Sequence, residues 1–354
     1  MSYSVKIIGT GCYIPGNTTT NESFSSNRFY NIDGTEIKGS NTDIIEKFKA
    51  ITGIKERKYI DPNLVTSDMA YLAASLAIKN SDINPEEIDY IVVAHNYGDV
   101  KYDSIQSDMV PSLASRVKHL LQIENANCVA YDILFGCPGW LEAMIQMNAY
   151  IKAGMAKTCL VIGAEGLSRV IDQHDRDSMI YSDGAGATIL QKSSGEGGIL
   201  AHATETHTKE EAHFIHFDKS YQKLENSVRH YIKMYGRKVY NFALKNVPLA
   251  MKSCLDKSGV PIDQIKKIFI HQANEKMDEA ICERFYKLYD YEIPENVMPM
   301  SIGELGNSSV ATIPTLLDLV LKSKMIDHKV EKGDFVIFAS VGAGMNINAV
   351  VYQF

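Results

Sequence analysis

The sequence predicts an α/β protein built from two related halves. Short apolar runs typical of strands alternate with longer helical patterns along the chain, which indicates sheets covered by helices. The strand-like runs are SVKIIGTGCYI, IDYIVVAHN, CVAYDILFG, TCLVIGAE and GATILQ before residue 195, and IKKIFIHQA, DFVIFASVG and NAVVYQF after it. The 354 residues also exceed one core of about 150 residues.

Two segments of the first half recur in the second half in the same order. Residues 84–96 (NPEEIDYIVVAHN) match 261–274 (PIDQIKKIFIHQAN), and residues 157–169 (KTCLVIGAEGLSR) match 333–345 (GDFVIFASVGAGM). The repeat predicts an N-terminal half at 1–194 and a C-terminal half at 195–354. Superposing these halves would put the FGCPGW loop opposite the loop that contains Asn307, with both loops joining a strand to a helix.

Composition and charge exclude several classes of protein. The net charge of -7 gives no general attraction to nucleic acid or to an anionic membrane, and no apolar stretch approaches the ~20 residues that span a bilayer. The N-terminus lacks the pattern of a secretory signal. The six cysteines are scattered without CxxC pairs, so we expect a cytoplasmic protein with free thiols.

Neither a metal nor an organic cofactor is expected. Four histidines in the second half lack Cys or Asp partners at ligand spacing; they are His202, His207, His213 and His216. The GAGA segment at 184–187 lacks the full GxGxxG pattern of a dinucleotide site.

Cys137 stands where a reactive cysteine would be useful. The run YDILFG is typical of a buried strand, and the helical pattern WLEAMIQMNAYIKAG follows Cys137-Pro138-Gly139 directly. A cysteine at a helix N-terminus meets the positive end of the helix dipole and unpaired N–H groups, which favour the thiolate. Pro138 suits the first helical position because it has no N–H. The alternative is a structural cysteine, since free cysteines are often buried.

His271 and Asn307 complete a candidate set of reactive groups. His271 ends the apolar strand IFI, and Asn307 lies in the polar loop GELGNSS. Each has a simpler explanation, His271 as a hydrogen-bonded core residue and Asn307 as a turn or cap residue. Together with Cys137, at the strand ends of a duplicated unit, they form a set suited to thioester chemistry: a sulfur that attacks and donors that stabilise negative oxygen.

Six separated blocks of sequence form a recognisable set. In chain order they are TGIKER at 52–57, FGCPGW around Cys137, YSDGAGATIL at 181–190, HQAN from His271, LGNSSVAT around Asn307, and SVGAGMNINAVVYQF at 340–354. The set resembles the signature blocks of the β-ketoacyl-acyl-carrier-protein synthase III family. This resemblance implies a homodimer with the thiolase fold, in which two duplicated α/β halves form five layers, α-β-α-β-α.

The resemblance also implies a reaction, a decarboxylative Claisen condensation of acyl thioesters carried by coenzyme A or acyl carrier protein. Cys137 would hold the acyl group, with oxyanion stabilisation by its own N–H and by the turn that contains Gly342, Ala343 and Gly344. His271 and Asn307 would hold the enolate oxygen of a malonyl thioester, with His271 acting as a hydrogen-bond donor and not as a base for Cys137.

Other positions carry family roles by the same resemblance. Arg169 and Lys276 match basic positions that meet phosphates or the carrier protein, with a solvated surface role as the alternative. Val110 falls near the acyl-pocket gate, where a small side chain implies room for an acyl group longer than acetyl. Lys47 and Ile51 stand where acetyl-coenzyme A-dependent members often carry Trp and Arg, so the adenine clamp is not expected.

Two further functions stay open at this level. Related enzymes of secondary metabolism condense β-ketoacyl units and close a cyclohexanedione or resorcinol-type ring, for which Glu165 is a candidate base. A non-catalytic acyl-binding partner of another synthase would be expected to lack the nucleophile, whereas Cys137, His271 and Asn307 are all present.

Overall fold

The computed structural model describes residues 3–223 and 228–354 and contains two main sheets. The strands, in chain order, are β1 (Tyr3–Tyr13), β2 (Asn17–Thr20), β3 (Glu56–Tyr59), β4 (Tyr90–Ala94), β5 (Asp99–Val100), β6 (Ser107–Asp108), β7 (Val129–Ile133), β8 (Thr158–Gly166), β9 (Asp183–Ser194), β10 (Gly198–Thr206), β11 (Ile215–Lys219), β12 (His230–Met234), β13 (Ile265–Ile270), β14 (Phe335–Gly342) and β15 (Asn346–Gln353). One sheet has the order β1-β9-β8-β4-β7 and the other β10-β15-β14-β13.

The two sheets repeat one pattern, which confirms the predicted duplication. In each, an antiparallel pair of outer strands leads to an antiparallel third strand and then to a parallel fourth: β1, β9, β8 and β4 correspond to β10, β15, β14 and β13. The position between residues 194 and 195 falls directly after β9. Only the first sheet has a fifth strand, β7, which pairs in parallel with β4.

Helices form three further layers, so the five-layered thiolase arrangement is confirmed. In chain order they are α1 (Asn41–Thr52), α2 (Thr66–Ser81), α3 (Leu113–Leu120), α4 (Gly139–Lys152), α5 (Gly236–Ser258), α6 (Glu275–Lys287), α7 (Ile302–Leu305) and α8 (Thr312–Leu321). No helix in the described ranges is both long and apolar enough to cross a membrane.

The helix sequences explain the layers. Helices α4 and α8 pack in one core with both sheets and are apolar almost all round, as a helix buried on every side must be. Helices α2 and α3 cover the outer face of the first sheet, and α5 and α6 cover that of the second. In α6, Met277, Ile281 and Phe285 recur at four-residue spacing on the buried face.

Strand β7 differs from the sequence prediction of a buried strand. It forms the edge of its sheet, its residues are exposed or half-buried, and Val129 and the following Leu134 are 46% and 61% exposed. The prediction of a strand is therefore confirmed, but its burial is not, because no other strand in the described ranges 3–223 and 228–354 pairs with its outer edge.

Asn307 also differs from its prediction, because it does not follow a strand. The segment 288–301 forms neither helix nor strand, and prolines at 294 and 299 cannot donate to a ladder. Asn307 instead lies between α7 and a 3-10 turn, Ser309–Ala311, that leads into α8. Its backbone pairs with the segment before β9: Asn307 N donates to Ile180 O at 3.0 Å, and Ser182 N donates to Asn307 O at 2.9 Å.

Arg57 of the TGIKER block hydrogen-bonds to the segment before β9, which pairs with the Asn307 backbone. Its fully buried guanidinium donates to Met179 O, to Thr19 O and to Asn21 Oδ1 at 2.8–3.1 Å, and lies 4.9 Å from the centre of the Phe24 ring. Burial lowers the pKa of Arg57 to about 10, which leaves the side chain charged at neutral pH. Arg57 therefore has a structural role: its hydrogen bonds hold the segment with which the Asn307 backbone pairs.

Replacing Arg57 by Met should lower the free energy of unfolding by about 3 kcal/mol, because two backbone carbonyls and one amide oxygen lose a charged donor in the core. The measurement is urea unfolding followed by circular dichroism. Lys58→Met is the matched control, since Lys58 pairs with Glu56 nearer the surface and its loss should cost less than about 1 kcal/mol. Equal losses of unfolding free energy in the two variants would contradict this structural role of Arg57.

Candidate active site

One cavity of about 650 Å³ contains the three residues that the sequence selected. Cys137, His271 and Asn307 all line it, although they come from β7–α4, β13–α6 and α7–α8. Its outer wall is largely apolar and includes Phe48 of α1, Met277 of α6, and Ile215 and Ile232 of the β11–β12 hairpin. The β11–β12 hairpin therefore forms part of the cavity wall.

The Cys137 loop packs directly against the loop that follows β14. Gly136 has a φ of +66°, and a Cβ atom there would lie 2.6 Å from Ala343 O. Gly342 is equally constrained, because a Cβ on it would overlap the backbone of Cys137. Of the predicted oxyanion turn, Ala343 lines the cavity with Val341, whereas Gly342 and Gly344 form the backbone around it.

The helix after Cys137 begins one residue later than predicted. Pro138 is the N-cap and Gly139 the first residue of α4, so Pro138 does not occupy the first helical position. Trp140 is buried between the two sheets, edge-on to Phe338, and belongs to the core. It has no part in the cavity lining.

The environment of Cys137 does not favour the thiolate as the helix argument predicted. Burial raises the pKa of the Cys137 thiol to about 11, and the Glu165 carboxylate adds to the rise. Hydrogen bonds from the Ser309 hydroxyl and from the backbone N–H of Cys137 act in the opposite direction. Cys137 is half-buried and lines the cavity, and the burial of its thiol outweighs the effect of the helix N-terminus.

His271 is a neutral imidazole. Burial alone lowers its pKa to about 3. Its Nδ1 lies 2.7 Å from the Thr312 hydroxyl, which is also 3.0 Å from Ser309 O. Because a hydroxyl has one hydrogen, Thr312 donates to only one of these two atoms, and its choice sets the His271 tautomer.

Asn307 has a fixed amide orientation. Its Oδ1 accepts a hydrogen bond from Ser309 N at 2.7 Å, and the backbone on both sides is paired with residues 180 and 182. The carbonyl side of the amide is therefore occupied, and the NH₂ group is the part that can serve the cavity.

A series of hydrogen bonds connects Cys137 to Glu165 through Ser309 and Asn96. Ser309 Oγ donates to Cys137 Sγ at 3.3 Å, and Asn96 Nδ2 donates to Ser309 Oγ at 3.1 Å and to Glu165 Oε2 at 2.6 Å. Asn96 and Ser309 line the cavity, whereas Glu165 lies behind Asn96 and is fully buried. Burial raises the pKa of Glu165 to about 7.

Known proteins share this architecture. The family models for 3-oxoacyl-[acyl-carrier-protein] synthase III and for its C-terminal part match residues 131–208 and 255–354. The β-ketoacyl-[acyl-carrier-protein] synthase III of Neisseria gonorrhoeae is 33% identical over 365 residues, covering both chains completely. The chain belongs to this family.

Solved structures agree with that assignment. The 3-oxoacyl-[acyl-carrier-protein] synthase III of Aquifex aeolicus VF5 is 29% identical, with a TM-score of 0.81 over 99% of this chain and 100% of that one. The priming β-ketosynthase of the R1128 polyketide pathway has a TM-score of 0.82 over 99% and 96%, and at 22% identity it shows the fold alone. The chain is thus a condensing enzyme of the synthase III family.

The basic residues that line the cavity are not the two selected from the family pattern. Lys38, Lys47, Arg176 and Arg237 line it. Arg169 instead donates to Asp61 O at 2.9 Å and lies 5.1 Å from the centre of the Tyr102 ring, and Lys276 is exposed on α6 outside the lining.

Val110, the predicted gate, does not line the cavity of the same chain and is 87% exposed.

The structure adds residues that the sequence analysis did not select. Ser309 and Thr312 lie inside the LGNSSVAT block, which indicated the region without separating their roles. Asn96 lies two residues after β4, in the segment AHN that is the first-half counterpart of IHQAN, and the repeat could have identified it.

The low pKa of His271 predicts that this imidazole does not titrate between pH 5 and 8. An imidazole with a pKa of about 3 is almost entirely in its neutral form, with a single N–H, at pH 5 and above, so the imidazole resonances of His271 should stay constant over that range. NMR of the folded protein measures this, with His271→Asn to assign the signal and the urea-unfolded chain as the control. A midpoint near 6.5 in the folded protein would contradict a neutral buried imidazole.

Proposed function

We propose that this synthase III family member condenses an acyl thioester with a malonyl-type thioester through an acyl-Cys137 intermediate, giving a β-ketoacyl product. The observation that carries the proposal is that Cys137, His271 and Asn307, from three separate loops, line one cavity. The acyl and malonyl groups enter as thioesters of coenzyme A or acyl carrier protein.

In the first half-reaction, Cys137 Sγ attacks the carbonyl carbon of the acyl thioester. The bond to the leaving sulfur breaks, and that sulfur takes up the proton that Cys137 loses. Negative charge on the tetrahedral oxygen is stabilised by the N–H groups of Cys137 and Ala343, whose loops are in backbone contact at Gly136 and Gly342.

In the second half-reaction, the malonyl thioester loses carbon dioxide, and the enolate carbon attacks the acyl-Cys137 carbonyl, which releases the Cys137 sulfur. His271 Nε2–H and the Asn307 NH₂ group donate to the enolate oxygen. This role requires His271 Nδ1 to accept from the Thr312 hydroxyl at 2.7 Å, so in the reacting complex that hydroxyl turns its hydrogen from Ser309 O, at 3.0 Å, to His271 Nδ1. A neutral imidazole stabilises the enolate without protonating its carbon.

The cavity entrance suits a long thioester with an anionic end. Lys38, Lys47, Arg176 and Arg237 supply positive charge for the phosphates of coenzyme A or of a carrier-protein prosthetic arm, and the apolar wall suits the arm itself. Arg169 and Lys276 would serve carrier-protein docking only outside the cavity.

A homodimer would bury the uncovered edge of the first sheet. Pairing β7 with β7 of a second copy would satisfy the backbone groups of that edge and cover Val129 and Leu134. Val110 is exposed in its own chain, so a gating role requires that it reach the cavity of the second copy. Its small side chain would then admit an acyl group longer than acetyl.

The other two functions have less support. Ring closure needs a base in contact with substrate, and Glu165 reaches the cavity only through Asn96. A non-catalytic acyl binder would not need the three reactive side chains in one cavity.

Incubation with an acyl thioester should give an acyl adduct on the wild-type chain and none on Cys137→Ala, because Cys137 is the only cysteine among the described residues that line the cavity. Intact mass measures the adduct, and Cys12→Ala, which removes a partly exposed cysteine of β1, should label like the wild type. Asn307→Ala should still acylate but lose malonyl decarboxylation by about 10²- to 10³-fold. Equal labelling of wild type and Cys137→Ala would disprove the assignment of the nucleophile.

Enlarging the proposed gate should shorten the accepted acyl group. Val110→Phe is expected to lower kcat/KM for an octanoyl starter about ten-fold relative to an acetyl starter, since a larger side chain occupies acyl space. The control is Ile326→Phe, at an aliphatic residue that is 91% exposed after α8. An unchanged octanoyl-to-acetyl ratio in Val110→Phe would remove Val110 from the acyl pocket.

A further inference from the structure

Ser309 contacts every member of the reactive set, directly or through one residue. Its hydroxyl donates to Cys137 Sγ at 3.3 Å, and its N–H donates to Asn307 Oδ1 at 2.7 Å. Its carbonyl oxygen lies 3.0 Å from the Thr312 hydroxyl, which contacts His271. No other residue in the described part of the chain has hydrogen bonds to both Cys137 and Asn307.

The backbone of Ser309 is held in an unfavourable conformation. Its φ of +53° lies in the left-handed region, which a residue with a Cβ seldom adopts. A glycine, which has no Cβ, adopts a positive φ at little cost. A serine at this point therefore accepts a conformational cost, and the hydroxyl is what distinguishes it from glycine.

The direction of the Ser309 hydrogen bond is set by its neighbours. Above the Glu165 pKa of about 7, the carboxylate can only accept, so it fixes the Asn96 amide with Nδ2 toward Oε2. The second Nδ2 hydrogen of Asn96 points to Ser309 Oγ. Because Ser309 Oγ is the acceptor in that contact, its single hydrogen is free to be donated to the Cys137 sulfur.

We propose that Ser309 is a positioning residue for Cys137, whose hydroxyl, oriented by Asn96 and Glu165, holds the sulfur at the cavity floor and stabilises its ionised form. The proposal rests on the acyl-Cys137 function above and adds to it the group that offsets burial. Donation from a hydroxyl stabilises a thiolate more than a thiol, and this contact lowers the Cys137 pKa against the burial that raises it.

Other titratable groups lie around the Cys137 sulfur, and their pKa values set the pH range in which its reactivity can be measured. They are Glu165 on β8, His271 across the cavity, the phenols of Tyr97 and Tyr181, and the cations Lys38, Lys47, Arg176 and Arg237 of the lining. Burial raises the pKa of Tyr97 and of Tyr181 well above 10. Between pH 8 and 9.5 Glu165 is ionised and His271 neutral, so reactivity follows the Cys137 thiolate.

The test is the rate of Cys137 carbamidomethylation by iodoacetamide between pH 8 and 9.5, read by peptide mass spectrometry. Ser309→Ala keeps the backbone contacts and removes only the hydroxyl, so the rate should fall about ten-fold at each pH, equivalent to a one-unit rise in apparent pKa. Ser309→Gly also removes the hydroxyl but fits the φ of +53°, and it should show the same shift. Ser308→Ala, which removes a neighbouring buried hydroxyl without a contact to Cys137, should match the wild type.

Malonyl decarboxylation by the same variants separates the alternatives. Ser309→Ala should retain it within two-fold, because Asn307 and Thr312 contact only backbone atoms of residue 309. A wild-type pH profile in Ser309→Ala, or different shifts in Ser309→Ala and Ser309→Gly, would overturn the proposal. So would a parallel loss of decarboxylation. Absence of an acyl adduct on wild-type Cys137 would instead refute the proposed function itself.

Discussion

The contact between the Cys137 loop and the loop after β14 is the constraint on which the site depends. The nucleophile belongs to the first half, whereas His271, Asn307 and Ala343 belong to the second. Gly136 and Gly342 let two backbones approach more closely than any side chain would permit, since a Cβ on either would overlap the other loop. Duplication brings equivalent strand ends to one place, and these glycines remove the remaining separation.

Burial keeps both Cys137 and His271 neutral. It raises the pKa of Cys137 to about 11 and lowers that of His271 to about 3, because each charged form loses water. A neutral imidazole suits the stabilisation of an enolate, but a neutral thiol is a weak nucleophile. The same burial therefore favours the stabilisation of the enolate and opposes the attack by Cys137. Formation of the thiolate depends on local donors such as the Cys137 N–H and the Ser309 hydroxyl.

Much of the fold followed from sequence patterns, since strand runs, the internal repeat and the apolar α4 and α8 are set by local composition and periodicity. The errors lie where tertiary context decides. Strand β7 has a core-like sequence but an uncovered edge, and the loop of Asn307 follows a helix because its proline-containing segment forms no strand. Likewise, the dipole argument for Cys137 counted the helix but not the protein around the sulfur. Arg169 matched a family position, yet its guanidinium is used by Asp61 O and the Tyr102 ring.

Residues that act through another residue are the hardest to find from sequence. Cys137, His271 and Asn307 were detectable because together they form a set suited to thioester chemistry, although His271 and Asn307 are ordinary when taken singly. A serine in a polar loop adds no such signal. What sets Ser309 apart is its φ of +53° and its hydrogen bonds to Asn96, after β4, and to Cys137, before α4. Glu165 of β8 acts on it through Asn96. Both properties come from the meeting of the two halves. The nucleophile can thus be read from one loop, but the group that offsets its burial is specified only by the assembled fold.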